Sequence, residues 1–150
     1  PSCFVAGTLV MAVAGMVAIE TIKSGDKVIS TDPETMETSP KTVLETYIRE
    51  VTTLVHLTVN GEEIVTTVDH PFYVNSRGFV KAGELAIGYE LLDVNGNVLL
   101  VEKFNVELTD EPTTVYNFQV EDFHTYHVSG FGVLVHWCIM QSILQRKCKK

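Results

Sequence analysis

The chain has 150 residues, 45% of them hydrophobic and 20% charged, the balance of a folded globular domain that can bury a real core. Its net charge of -8 and pI near 5.0 argue against nucleic acid as a partner, because phosphate binding needs clustered Lys and Arg. No apolar run is long enough to span a bilayer, Pro1-Ser2-Cys3 has no signal-peptide character, and 3 cysteines without CxxC spacing indicate neither a disulfide framework nor a zinc ribbon.

In chain order, residues 4–13 read as a strand in which Gly7 marks a bend. Gly15 turns the chain into a strand over 17–19, and residues 20–27 read as one helical turn capped by Gly25. A short strand over 28–30 stops at Asp32-Pro33. Strands follow over 42–49 and 54–60, and Asn60-Gly61 sets a hairpin whose return strand covers 64–68. That hairpin delivers Thr67-Val-Asp69-His70-Pro71-Phe72. Pro71 has no N–H and keeps the preceding residue extended, so His70 is expected at a strand end or bulge. Near the C-terminus, Gly132-Val-Leu-Val-His136 is a last apolar strand, followed by Trp137-Cys138 and an amphipathic stretch over 139–144 too short for a stable isolated helix. The basic run at 146–150 reads as a solvated tail.

The second half repeats the plan of the first. Ile22-Lys-Ser-Gly25 answers to Leu85-Ala-Ile-Gly88, and Val43-Leu-Glu-Thr-Tyr47 to Leu100-Val-Glu-Lys-Phe104. Val55-His-Leu-Thr-Val59 answers to Val115-Tyr-Asn-Phe-Gln-Val120, and His70-Pro-Phe-Tyr-Val74 to His124-Thr-Tyr-His-Val128. Four matches in one order point to an internally duplicated all-β domain with pseudo-two-fold halves, in which His70 and His124 take equivalent places.

These residues resemble the Hint superfamily of inteins, bacterial intein-like domains and hedgehog autoprocessing domains. Cys3-Phe-Val-Ala-Gly-Thr-Leu-Val resembles the first block, which opens on a nucleophilic Cys. Thr67-Val-Asp-His70 resembles the TxxH block, and Val115 through His124-Thr-Tyr-His-Val with Gly-Val-Leu-Val-His136 resembles the final pair. The small size and His124-Thr-Tyr are similar to bacterial intein-like domains and the Hint modules of polymorphic toxins. The resemblance implies a horseshoe-like β domain over residues 3–137, with 1–2 as upstream flank and 138–150 as downstream flank or tail. It also implies autocatalytic self-processing in which the partners are the chain's own flanking segments. The expected state is a monomer with no cofactor or resident metal, in a reducing environment that keeps the Cys3 thiol free.

The chemistry follows from the residue types. The Cys3 thiolate is a strong nucleophile one bond from the Ser2 carbonyl, and intramolecular attack there gives an N-to-S acyl shift. The leaving amide nitrogen needs a proton, the role expected of His70, and the oxyanion needs a donor, for which the Thr67 hydroxyl is the candidate. The resemblance implies that Asp69 tunes this site, and that His136, supported by His124, assists cleavage at the C-terminal junction. Intein family members cyclise an Asn after that His; here Trp137 stands in its place, with an indole that is only a donor, so C-terminal cleavage and splicing are expected to be impaired. Asn117 stands where the family tends to have an acid, and Cys138 could take over the acyl group. Three other readings compete with this one: a Cys–His hydrolase, a metal module using His70, His124, His127, His136 and the cysteines, and a non-catalytic β binding module.

Overall fold

The computed structural model describes residues 2–138; the stretch over 139–144 and the basic tail lie outside them. The chain runs through β1 (Phe4–Val5), β2 (Leu9–Ala12), β3 (Gly15–Ala18), a 3₁₀ turn (Ile19–Thr21), β4 (Lys27–Thr31), β5 (Thr38–Val59), β6 (Glu62–Thr66), β7 (Pro71–Val74) and β8 (Gly78–Lys81). A second 3₁₀ turn (Ala82–Glu84), β9 (Glu90–Leu92), β10 (Val98–Val120), β11 (Thr125–Val128) and β12 (Val133–His136) complete it. Among the described residues the fold is all-β, as the alternating sequence pattern indicates.

Two long antiparallel strands, β5 of 22 residues and β10 of 23, pair along most of their length and carry everything else. The two separate strands expected over 42–49 and 54–60 are one. Glu50, Val51 and Thr53 pair with Thr114, Thr113 and Leu108, and the irregularity is taken up in β10, where the register shifts between Leu108 and Thr113. The helical turn expected over 20–27 shrinks to Ile19–Thr21, because the Gly25 N–H crosses to the Val43 carbonyl at 2.8 Å instead of bonding back along the chain.

The duplication is visible as a repeated set of backbone hydrogen bonds. Gly25 N–H to Val43 O is matched by Gly88 N–H to Val101 O, both at 2.8 Å, and both glycines sit in the left-handed region at φ 93° and 92°. Val43 therefore corresponds to Val101, one residue beyond the Leu100 that the sequence alignment chose. A larger correction concerns His70. Ala82 N–H donates to the His70 carbonyl at 2.8 Å, as Ile19 N–H does to that of Thr8 at 2.8 Å. The β7–β8 ladder, Pro71↔Lys81 to Val74↔Gly78, likewise matches the β2–β3 ladder, Leu9↔Ala18 to Ala12↔Gly15. The repeat partner of His70 is thus Thr8, not His124. The β11–β12 hairpin instead seams the two halves together, through Val128↔Val10 on one side and Val135↔Phe72 on the other.

The core lies between these layers, with Phe4, Val10, Phe72, Leu91, Phe118, Tyr126 and Val135 fully or almost fully buried. Each such apolar side chain contributes roughly 1.5–3 kcal/mol of burial free energy. The short β1 is inserted between β6 and β10, where Phe4 pairs with Thr66 and with Tyr116. That insertion carries the N-terminal end of the chain into the interior.

Candidate active site

Because β1 is threaded between two strands, Cys3 is fully buried, and its backbone is gripped from the β6 side. The Cys3 N–H donates to Thr67 Oγ1 at 3.0 Å, and Thr67 Oγ1 donates to Asp69 Oδ1 at 2.9 Å. The Cys3 carbonyl accepts from the Thr67 N–H at 2.9 Å and the Thr66 hydroxyl at 3.1 Å. Ser2 Oγ donates to the Asp69 carbonyl at 3.4 Å, fixing the residue upstream of the thiol. Thr67 thus sits on the nitrogen of the Ser2–Cys3 bond. Its single proton is given to Asp69, so this geometry does not aim it at the Ser2 carbonyl oxygen, the position expected of an oxyanion donor. Cys3 is a free thiol, and burial, with Asp69 adding and Arg49 opposing, pushes it up to about 11.

His70 follows the turn 67–70, closed by its N–H on the Thr67 carbonyl at 3.5 Å, and stands directly before Pro71 at the start of β7. Its imidazole is fully buried in an aromatic cage. The Phe4 ring lies 4.1 Å away between centroids, Phe72 6.0 Å and Tyr126 6.2 Å. Neither ring nitrogen has a hydrogen-bond partner among the described residues. Burial first, and then the charge of the neighbouring His136, hold its pKa well below the usual histidine range. A buried imidazole left unpaired in this way is neutral at pH 7 and has a lone pair to offer.

At the other end, β12 brings His136 and Trp137 inside. The Trp137 carbonyl accepts from Asn117 Nδ2 at 2.6 Å, and the Cys138 N–H donates to His136 Nδ1 at 3.1 Å. Both halves of the Trp137–Cys138 peptide bond therefore meet a side chain. Tyr126 Oη donates to Asn117 Oδ1 at 2.8 Å. His124, held at φ 60°, accepts the Trp137 indole N–H on Nδ1 at 3.3 Å and the Trp137 backbone N–H on its carbonyl at 3.0 Å. The indole stacks on Tyr47 at 5.9 Å and 11°. The His124 and His136 rings lie 5.9 Å apart, and burial followed by the His124 charge lowers His136 to about 3. The two ends are joined by contacts, since Phe4 and His70 both touch Tyr126, and Tyr126 reaches Trp137 through Asn117.

Residues 9–138 match the family described as the pretoxin HINT domain. The chain belongs to that family. Its fold is similar to the solution structure of a bacterial intein-like domain from Clostridium thermocellum. The two are 61% identical, with a TM-score of 0.87 over 89% of this chain and 97% of that one. It is also similar to a DnaB intein from Synechocystis sp., 16% identical with a TM-score of 0.76 over 93% and 100%, and to an Ssp DnaB mini-intein variant, 14% identical with a TM-score of 0.80 over 94% and 96%. An uncharacterized protein of Methanocaldococcus jannaschii is 37% identical over 83 residues, 51% of this chain but only 12% of that protein. The Hint fold read from the sequence blocks holds.

Within this HINT domain, the residues singled out from sequence fall into two groups joined by one aromatic cluster: Cys3, Thr67, Asp69 and His70, and His124, His136, Trp137 and Cys138. Sequence reading missed Tyr126, Tyr47 and Thr66, and noted Asn117 only as a departure from an acid. No local pattern marks a tyrosine as the partner of an amide 9 positions away across a turn. His127 was weighed as a ligand. It is instead a buried structural group, donating from Nδ1 to Gly132 O at 2.8 Å and accepting from the Thr31 hydroxyl on Nε2 at 2.7 Å.

Proposed function

We propose that this HINT domain, over residues 3–137, breaks its own Ser2–Cys3 bond by an N-to-S acyl shift, with its flanking polypeptide as the only substrate. The observation that supports it is the treatment of that one bond: a buried free thiol whose own amide N–H is held by Thr67, with an unpaired His70 ring packed on Phe4, the next residue in the chain.

In the step, Cys3 Sγ adds to the Ser2 carbonyl carbon and the S–C bond forms. The C–N bond then breaks, and the thiol proton ends on the Cys3 nitrogen, leaving a thioester and a free amine. A thiol at about 11 is thiolate to the order of 10⁻⁴ at pH 7, so the proton has to leave as the attack proceeds. His70 is neutral and unpaired, and suits both halves of the transfer: base toward sulfur, then acid toward nitrogen. Thr67 and Asp69 hold the scissile N–H and so restrain the peptide plane that carries the Ser2 carbonyl.

The C-terminal junction lacks an attacking group. The Trp137 indole N–H is a donor and is engaged with His124. The thioester therefore ends in hydrolysis or thiol exchange, or passes to the Cys138 thiol, and the Trp137–Cys138 bond stays intact. The test places a folded protein ahead of Ser2 and follows intact mass with and without added thiol. Release of that flank as a thiol adduct, absent in Cys3→Ala, supports the reading; thiol-independent release at equal rate in Cys3→Ala overturns it.

A further inference from the structure

The hydrogen bond at 2.6 Å from Asn117 to the Trp137 carbonyl has a definite direction. A carbonyl oxygen only accepts, so the amide group facing it is Nδ2, and Oδ1 is then the atom that takes the Tyr126 hydroxyl at 2.8 Å. Both partners of Asn117 are buried with it: Tyr126 is 0% exposed, Asn117 5% and Trp137 8%. Tyr126 is fixed in turn by Phe118, with ring centroids 4.1 Å apart, and by Phe4 at 6.1 Å. A neutral amide, locked in one flip and desolvated, is aimed at the oxygen on which negative charge develops when the Trp137 carbonyl is attacked.

We infer that Asn117 is the oxyanion donor for cleavage at the Trp137–Cys138 bond and that Tyr126 is its positioning residue, so that this junction keeps a working charge-stabilising site although residue 137 supplies no nucleophile. The role rests on the self-processing reading above. In Trp137→Asn, the new side-chain Nδ2 would attack the carbonyl carbon of its own residue. The bond to Cys138 nitrogen breaks, that nitrogen takes the proton lost by the attacking amide, and the transient oxyanion meets Asn117 Nδ2. An aspartate at 117 has no donor while ionised, and regains one when protonated. The amide–acid difference at this position is thus a difference in C-terminal chemistry.

The test has two arms. The chain contains 1 tryptophan, so tryptophan labelled with ¹³C at its carbonyl marks the Trp137 carbonyl alone in the infrared spectrum. With otherwise native sequence, Asn117→Ala and Asn117→Asp at pH 8 should shift that band to higher frequency, Tyr126→Phe less so, and Asn117→Asp should return toward the parent at pH 5. An unmoved band overturns the donor assignment. In the second arm, Trp137→Asn carrying both flanks is compared with the same chain plus Asn117→Asp. C-terminal cleavage should slow by ~10²–10³ at pH 8, the loss expected for one oxyanion donor, and recover toward pH 5. Thiol release at Cys3 reports that each variant is folded. Undiminished cleavage at pH 8 overturns the role of Asn117 and leaves the self-processing reading standing. A Trp137→Asn chain that releases its N-terminal flank with thiol but never cleaves after residue 137 overturns the role of Asn117; one that does neither overturns the self-processing reading as well.

Discussion

The Cys3 amide N–H donates to the Thr67 hydroxyl at 3.0 Å, and that hydroxyl donates onward to Asp69. This relay, buried at its Cys3–Thr67 link and part-buried at Asp69, fixes the scissile nitrogen from one side. Thr67→Val, which keeps the shape and removes the acceptor, leaves a buried N–H unpaired and should destabilise the domain by about 1–3 kcal/mol. It should also slow thiol-dependent release of an N-terminal flank. Thr67→Ser should restore most of both losses. Urea titration and the release rate, measured on the same samples, separate the two effects.

His70 is caged by Phe4, Phe72 and Tyr126 with both ring nitrogens unpaired. His70→Ala removes the proton carrier and should slow release by ~10²–10⁴, the usual worth of general acid–base catalysis. His70→Phe fills the cage without a titratable group. It should be at least as stable as the parent to denaturant and equally slow in release, which a purely packing role for His70 does not give.

Three buried histidines set the acid stability. His70, His127 and His136 all have pKa values lowered by burial, to about 4 for His127 and about 3 for His136. The unfolded chain takes up protons near pH 6.5 while the folded chain does not. Stability is therefore complete above about pH 6.5 and falls as pH drops from there toward the folded values, each histidine giving up to about 1.4 kcal/mol per pH unit. Denaturant midpoints measured at pH 7.5 and pH 5 should differ in that direction. The difference should shrink in His127→Gln, whose titrating group is gone.

The duplication itself can be tested at Gly25 and Gly88. Both sit at φ near 90° with no atom near an added Cβ, and each N–H crosses to a valine carbonyl at 2.8 Å. Gly25→Ala and Gly88→Ala should therefore cost about 1–2 kcal/mol each, nearly equally, and additively in the double variant. Thermal unfolding of the three chains checks this; strongly unequal losses would show that the two turns are not equivalent.

Much of this was legible in the sequence, and the rest failed for physical reasons. The Gly25 and Gly88 repeats, the Asn60-Gly61 hairpin and the strand end at Pro71 each depend on backbone constraints that one or two residues carry. Cys3, the TxxH residues and His136 were legible through block resemblance. The equivalence of His70 with His124 was not real, because two histidines followed by aromatic residues look alike in a string. Their positions differ: one precedes the ladder that repeats β2–β3, and the other precedes the hairpin that seams the halves. The direction of the Thr67 proton and the Tyr126–Asn117–Trp137 chain depend on which strands pair, and periodicity does not encode pairing.

Trp137 defines what this domain should fail to do. With the indole engaged by His124 and stacked on Tyr47, a chain flanked on both sides should keep its Trp137–Cys138 bond and give no ligated flanks. Trp137→Asn should switch on C-terminal cleavage, visible as a new product by mass spectrometry. Efficient cleavage there with Trp137 in place would refute this view of the junction.

The most direct measurement is the mass of the N-terminal flank released from a fusion to Ser2 in excess thiol, for the parent and for Cys3→Ala. The expected result is a flank carrying the added thiol as a C-terminal thioester from the parent, and no release from Cys3→Ala. A flank released with a plain carboxylate at the same rate from both chains would contradict the assignment of Cys3 as the nucleophile.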